Sequence, residues 1–390
     1  MFFFILPQQF KKFKTFRQER SNMPYINHPL PEYPCQNDVW DVLSKEKRPI
    51  LIYGMGNGAD KLINRFQALG ISFADIFASD GFVRGHSFHG IRVKSFSEVK
   101  EKYRDFVIVL SFASNKRDVI DMLTEIDEKY DFYIPDMPIA GEDEYFDKEF
   151  YNSHYTEIKS TYDLLYDTES KSIYSAAINY RLTGKLSYLL DAYSDKNELY
   201  ELLNKKNITR MVDAGAYNGD TLREAIEYFP NLKYAYAIEP DRKNFKKLSA
   251  FAKECRIDVN VINAAVWSES CDGTFSNSGN RNSSVSSTAS YKHTDTSIRM
   301  ITVDSFDDCE IDYIKYDVEG AELEALIGSE KTITNSKPAL LISVYHRSSD
   351  IFKIAEFLNR NVKGYRFYLR RLLSVPAWEI DLILIPEKQI

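Results

Sequence analysis

Short apolar runs alternate with amphipathic stretches in two separate parts of the chain. In the first part, Pro49-Ile50-Leu51-Ile52-Tyr53, Phe73–Ala78 and Phe106-Val107-Ile108-Val109-Leu110 read as buried strands, with helical spacing up to Leu69-Gly70 and from Arg117 to Tyr130. Strand and helix taking turns predicts a parallel sheet, here a small α/β domain at residues 48–137. Residues 138–206 lose the alternation. Ile158, Leu164, Leu165, Ile173, Ala176, Ile178, Leu182 and Leu189 recur at helical spacing, which predicts two or three helices bridging the halves. From Ile208 the alternation resumes, with strands predicted at Arg210–Asp213, Tyr234–Ile238, Val259–Ala264, Tyr313–Tyr316, Ala339–Val344, Arg366–Leu369 and Ile380–Ile385. Helices are expected after the first, second, fourth and fifth of these, and the last two form a hairpin. This second domain spans residues 207–390. Ahead of both, Pro24, Pro29, Pro31 and Pro34 predict an irregular arm over residues 1–47.

Composition narrows the function classes. The chain has 390 residues, enough for two cores. A net charge of −7 and a pI near 5.6 argue against a general nucleic-acid binder, which needs a basic face. Cys35, Cys255, Cys271 and Cys309 show no Cys-x-x-Cys spacing, so neither a disulfide framework nor a zinc site is expected, and a reducing cytoplasm fits. The apolar run Met1–Leu6 is too short to cross a bilayer. Lys11, Lys12, Lys14 and Arg17 follow that run, the reverse of a signal peptide, so the expectation is an extension with an alternative start at Met23 and no membrane span.

The candidate chemistry lies in the second domain. Asp213-Ala214-Gly215-Ala216-Tyr217-Asn218-Gly219 follows a predicted strand and opens a predicted helix. Glycines there allow a tight turn and close approach to a ligand. The next strand ends Ile238-Glu239-Pro240, with Glu239 20 residues beyond Gly219. An acid at that strand end accepts hydrogen bonds from both ribose hydroxyls of a nucleoside. The D-x-G-x-x-x-G spacing lacks the pyrophosphate pattern and suits adenosine joined to methionine better than a dinucleotide. Further on, Ile314-Lys315-Tyr316-Asp317-Val318-Glu319-Gly320-Ala321-Glu322 closes the fourth strand. Alternation puts Lys315, Asp317 and Glu319 on one side, where Asp317 or Glu319 would hold a cofactor ammonium or position an acceptor hydroxyl. The alternative is a structural Lys315–Glu319 ion pair.

Those segments, with Gly219-Asp220-Thr221, Thr302-Val303-Asp304 and the K-x-D-x-E-G-A-E core, resemble the FkbM-type methyltransferase family over about residues 207–390. The resemblance implies a class I fold, a doubly wound seven-stranded α/β sheet, that uses S-adenosyl-L-methionine (SAM) to methylate a hydroxyl of a sugar, glycan or natural product. It implies that Asp213, Gly215, Ala216 and Gly219 line the methionine side of the cofactor, that Glu239 and Pro240 sit at its ribose, and that Asp317 and Glu319 face the reaction centre. Leu164-Leu165-Tyr166-Asp167 with Ser170, then Asn179-Tyr180-Arg181-Leu182-Thr183-Gly184, is also similar to what precedes this domain in two-domain members. Tyr166 departs from the small residue more usual there. A hydroxyl acceptor must lose a proton, so a general base is needed. The candidates are Asp317, Glu319 and His346, the last because an unperturbed imidazole titrates near neutrality. Lys315 is the fourth expected catalytic residue. Asp317, Glu319 and Glu322 are of the type that holds a divalent cation, but no metal is expected. The Ser/Asn/Gly-rich run between Asp272 and Ser290 reads as a flexible loop or a hairpin over the acceptor, where Arg281 or Asn282 would touch it.

In the first domain, Gly54-Met55-Gly56-Asn57-Gly58-Ala59 followed by Asp80 approaches a dinucleotide fingerprint. It makes a nucleotide or nucleotide-sugar the expected ligand there, as in the small Rossmann-like domains that precede some sugar-modifying enzymes and resemble those of nucleotide-sugar acyltransferases. His86 and His89 have the spacing of a metal pair but no third ligand. Two competing readings stay open. One is a nucleotide or nucleotide-sugar binding protein with a catalytically silent second domain. The other is an NAD-linked oxidoreductase, against which no Tyr-x-x-x-Lys pattern stands beside the glycine loop.

Overall fold

The computed structural model describes residues 28–83, 85–141, 144–276, 284–286, 295–306 and 310–389. The run Met1–Leu6, the basic residues after it, Met23, Arg281, Asn282 and Cys309 lie outside the described residues.

Two sheets organise the chain. The first contains β1 (Ile50–Tyr53), β2 (Asp75–Ala78), β3 (Lys94–Ser95), β4 (Val107–Leu110) and β5 (Asp131–Tyr133), in the order β3-β2-β1-β4-β5. All its pairings are parallel. Helix α1 (Val39–Lys45) lies ahead of it, inside the stretch read as irregular. The prolines end before it starts, and Asp38 with Asp41 forms a capping box that nucleates the turn. Helix α2 (Asn57–Leu69) follows β1 and ends at Gly70 in the left-handed conformation.

The second sheet contains β6 (Arg210–Ala214), β7 (Tyr234–Ile238), β8 (Asp258–Ile262), β9 (Tyr313–Tyr316), β10 (Ala339–Ser343), β11 (Tyr365–Arg371) and β12 (Ile380–Pro386). Its order is β8-β7-β6-β9-β10-β12-β11. Strands β6 to β10 pair in parallel, and β12 runs antiparallel to both β10 and β11. This is the seven-stranded sheet the alternation predicted. The chain winds outward from β6 to β8 and then returns to the other flank of β6. That reversal opens a crevice at the carboxyl ends of β6 and β9, where ligands bind in such sheets. Helices Asp220–Tyr228, Arg242–Ala252, Glu322–Ile327 and Asp350–Asn361 follow the four expected strands. Strands such as Ile380–Pro386 are buried along their whole length because helices cover both faces.

Three expectations change. The bridging region holds five helices, Lys148–Ser153, Tyr155–Leu164, Thr168–Thr183, Leu186–Asp191 and Lys196–Leu202, because Asp147, Asp167 and Asp195 each cap a new start and Gly184 closes the longest. The run after Asp272, read first as a flexible loop and second as a hairpin, contains an antiparallel ladder among its described residues. Cys271–Ser276 pairs antiparallel with Asp295–Ile301 and with Ser284–Ser286. Burial of Ile298 and Met300 on alternate positions anchors that ladder. Glu319 does not continue the alternation of β9. The strand ends at Tyr316, and Glu319 and Gly320 form a turn with φ of 55° and 94°.

The bridging helices dock onto the edge of the second sheet. Tyr166 N–H donates to Phe367 O and Leu369 N–H donates to Ser170 Oγ, so Thr168–Thr183 covers the edge strand β11. Arg370 pairs with Asp167 at 2.7 Å and Glu169 at 3.2 Å. Tyr166 itself is exposed and stacks under Arg366, on this docking face. Arg371 is buried and donates to the carbonyls of Leu189, Ala192 and Ser374 at 2.9–3.0 Å. Arg371→Ala strands three buried acceptors and should cost on the order of 2–3 kcal/mol, read as a lowered urea midpoint with an unchanged slope. One apolar core runs through both halves, from Leu51 and Ile108 through Tyr174 and Tyr180 to Ile314 and Leu384. Among the described residues no helix is long and apolar enough to cross a membrane.

Candidate active site

The loop after β6 is shaped by close approach. Gly215 has φ 89°, and a Cβ on it would lie 1.8 Å from the carbonyl oxygen of Asp317. Only glycine lets this loop rest on the end of β9. Gly219 has φ 88° and packs against Phe251, where a Cβ would come within 2.6 Å of the ring. Gly215 N–H and Ala216 N–H both donate to Ile238 O, which ties the loop to β7.

Glu239 stands at the end of β7 and is 6% exposed. Its Oε2 accepts from Tyr217 N–H at 2.9 Å and its Oε1 from Asp241 N–H at 2.8 Å. Each oxygen therefore has its direction fixed and keeps a lone pair for a ligand hydroxyl. Burial, only partly offset by those two donors, pushes the carboxyl up to about 7, with Asp241 and Asp213 adding to the rise. Only the ionised form accepts from both hydroxyls of a ribose diol. The unliganded group is protonated below pH 7, so affinity for a ribose should fall as pH drops through 7. From pH 8 to pH 6 the dissociation constant should rise roughly tenfold, with one proton released on binding at the lower pH. Calorimetry in buffers of different ionisation heat reads both; a flat profile would mean that Glu239 is already ionised at pH 6.

The opposite wall is charged. Lys315 Nζ contacts Asp317 Oδ2 at 2.9 Å, so the ammonium pairs with Asp317, not with Glu319. Burial would raise the Asp317 carboxyl, but Lys315 and then His346 reverse this and hold it below the usual range. Asp213 is fully buried behind the loop, and neither of its oxygens has a hydrogen-bond partner. Burial, opposed by Lys315, pushes it up to about 6. His346 is 1% exposed. Its Nδ1 lies 2.9 Å from Glu322 Oε1, and its Nε2 lies 3.5 Å from both Asp317 Oδ1 and Glu319 Oε2. Burial disfavours its charge, yet Glu322, Asp317 and Glu319 together push the imidazole up to about 10. The unperturbed histidine expected from sequence is thus replaced by a carboxylate-ringed one, which is no base near neutrality.

One cavity of about 760 Å³ joins these walls. Gly215, Glu239, Pro240, Lys315, Asp317, Glu319 and His346 line it. Asp213, Ala216 and Gly219, expected at the cofactor, are not among the lining residues: Asp213 and Ala216 are fully buried, and Gly219 packs against Phe251. Sequence reading missed Tyr217, Tyr345, Trp378 and Asp381, which also line it. Asp381 had a readable signal, an acid inside the apolar run Ile380–Ile385. It accepts from Ser343 Oγ, and burial pushes it up to about 7. Asn115 and Ile139 bring the first half of the chain to the same cavity.

Residues 213–367 match the model of the methyltransferase FkbM domain. The C-terminal half carries an FkbM-type methyltransferase domain. The whole chain is similar in fold to a methyltransferase FkbM from Methylobacillus flagellatus, with a TM-score of 0.67 at 19% identity, covering 96% of this chain and 98% of that one. A putative rRNA-methylase from Clostridium thermocellum is more distant, with a TM-score of 0.32 at 14% identity over 50% of this chain and 97% of that one. So is fibrillarin from Aeropyrum pernix, solved with S-adenosyl-L-methionine, with a TM-score of 0.29 at 13% identity over 46% of this chain and 68% of that one. No curated protein matches the chain.

The glycine loop of the first half has a different character from that of the methyltransferase domain. A Cβ on Gly58 would lie 2.1 Å from Ser111 O, and one on Gly54 would lie 2.6 Å from Ser111 Oγ, so both serve packing against the end of β4. Gly56 faces open space. The Asp80 carboxylate accepts from Ser97 N–H and Oγ–H at 3.1 and 2.6 Å, which occupies it at the start of the helix Phe96–Lys102. His89 pairs with Asp60.

Proposed function

We propose that the protein transfers a methyl group from SAM to a hydroxyl of a sugar, glycan or natural product. The observation that carries this is the placement of Glu239. Its two oriented oxygens line the same cavity as Asp317, Glu319 and His346. The volume falls within the range of roughly 300–1,000 Å³ that small-molecule sites occupy. The residues present fit the cofactor. Glu239 offers both oxygens to a ribose diol, Gly215 lines the cavity where its loop rests on the end of β9, and the orphaned Asp213 carboxylate beneath the loop favours a cationic ligand above it. When bound, the cofactor would supply a methyl activated by its sulfonium, and the protein would have to orient the acceptor hydroxyl and take its proton.

The chain's own residues orient the acceptor and take that proton. Lys315 and His346 hold Asp317 ionised as an orienting carboxylate, which leaves Glu319 beside it as the group that takes the proton. Ser343, Tyr345 and Asp381 add polar groups suited to a polyhydroxylated acceptor. Cys35, Cys255 and Cys271 are free thiols, which supports a reducing cytoplasm as the compartment.

The test is calorimetric titration of the full chain with SAM, S-adenosylhomocysteine and NADH. Micromolar binding of the first two without NADH is expected. NADH binding without SAM would overturn the reading and move the chemistry to the first sheet.

A further inference from the structure

We infer that Asp317, Glu319 and His346 Nε2 form a binding site for one divalent cation, oriented from behind by Glu322. The sequence reading found Asp317, Glu319 and Glu322 suggestive of a divalent cation but expected no metal. The fold brings the donors together at the end of β9 and the turn after β10. Asp317, Glu322 and His346 offer ligand atoms within 4.8 Å of one another, and Glu319 Oε2 joins them through Nε2.

Four observations point to a cation. The first is spacing. A protonated Nε2–H donating to a carboxylate closes to roughly 2.7–2.9 Å. Here Nε2 stands 3.5 Å from one oxygen of each of two carboxylates. Donor atoms that share one cation at about 2.1–2.2 Å sit roughly 3.0–3.5 Å apart. The second is the other ring nitrogen. Nδ1 lies 2.9 Å from Glu322 Oε1, an oxygen that also accepts from Val318 N–H and Gly320 N–H. A carboxylate beside the far nitrogen is the usual second partner of a metal-binding histidine; here Nδ1 and Glu322 meet at ion-pair distance without hydrogen-bond geometry. The third is burial. His346 is 1% exposed, lines the cavity, and directs Nε2 between the carboxylates. The fourth is charge. Three carboxylates, Asp317, Glu319 and Glu322, surround the one imidazole. Asp317 Oδ2 is already taken by Lys315, which leaves Oδ1 toward the site.

Two carboxylates and one imidazole suit Mn²⁺ or Zn²⁺. Three protein ligands leave open positions, where an acceptor hydroxyl would bind and become more acidic. The role of the cation rests on the methyl-transfer reading; its binding does not.

The experiment titrates Mn²⁺ into the full chain, followed by electron paramagnetic resonance of the free ion, with Zn²⁺ as competitor and SAM affinity measured in parallel. Wild type should take up one Mn²⁺ per chain, displaced by Zn²⁺. Glu319→Gln, at a half-exposed turn, should weaken uptake at least tenfold while SAM affinity is kept. His346→Gln should do the same, and Glu322→Gln should weaken it about 10- to 100-fold as a positioning residue. No Mn²⁺ uptake by wild type that binds SAM, or uptake unchanged in Glu319→Gln and His346→Gln, overturns the site. Loss of SAM binding by wild type strikes the function reading instead, whatever the metal result.

Discussion

Gly215→Ala should abolish cofactor binding and remove most of the stability of the methyltransferase domain. Two costs add at this position. At φ 89° an alanine is strained by roughly 1–3 kcal/mol. Its Cβ would also lie 1.8 Å from Asp317 O, 2.8 Å from Asp317 C and 3.6 Å from Val318 N, all main-chain atoms that cannot rotate away. Relief requires β6 and β9 to part at the centre of the sheet, and a total on the order of 4–5 kcal/mol or more is expected. The measurement is urea unfolding beside SAM calorimetry. Gly56→Ala is the control, because a Cβ there meets nothing within 4 Å and only its N-cap position is touched. It should cost no more than about 1 kcal/mol. Equal effects at the two glycines would show that the contact with Asp317 is not what excludes a side chain.

Glu239→Ala is the larger test of function. The wild-type carboxylate would accept two charge-assisted hydrogen bonds from the ribose, each worth about 1.5–2 kcal/mol. Losing both weakens SAM roughly 100- to 1,000-fold, and S-adenosylhomocysteine equally, since the two share the ribose. Tyr217 N–H and Asp241 N–H lose their acceptor as well, which loosens the loop that the ligand touches. Glu239→Gln keeps the shape, but one end of the amide must turn an N–H toward one of those donors, so it should recover little. Unchanged affinity in both variants would place the ribose elsewhere.

The sheet was legible because its central strands are short, mainly apolar runs between polar breaks, even where Lys315 and Asp381 interrupt two of them. Glu239 was legible because it ends such a run. The short helices Leu186–Asp191 and Lys196–Leu202 were not, since a helix of two turns shows no sustained period, and their starts depend on single capping side chains. The ladder of Cys271–Ser276 was hidden because its partner, Asp295–Ile301, lies far along the chain. The properties of His346 were illegible for a related reason. Its pKa and geometry are set by Asp317, Glu319 and Glu322, which only the fold places around it. The same holds for Lys315, which alternation placed on the correct side but whose partner proved to be Asp317 because Glu319 had left the strand. The glycines of Gly54–Gly58 look like a phosphate loop in sequence because packing and ligand approach demand the same residue.

The lip of the cavity has a second source. Ile139 N–H and Ala140 N–H donate to His346 O at 3.1 and 2.9 Å, and Ser114 exchanges hydrogen bonds with Val375. Asn115 and Ile139 therefore reach the cavity from the first half of the chain. On the methyl-transfer reading, descendants of this chain could change acceptor by drifting at those two positions without altering Glu239. For the same reason, a C-terminal half transplanted alone would enter a host without part of the wall that its cavity has here.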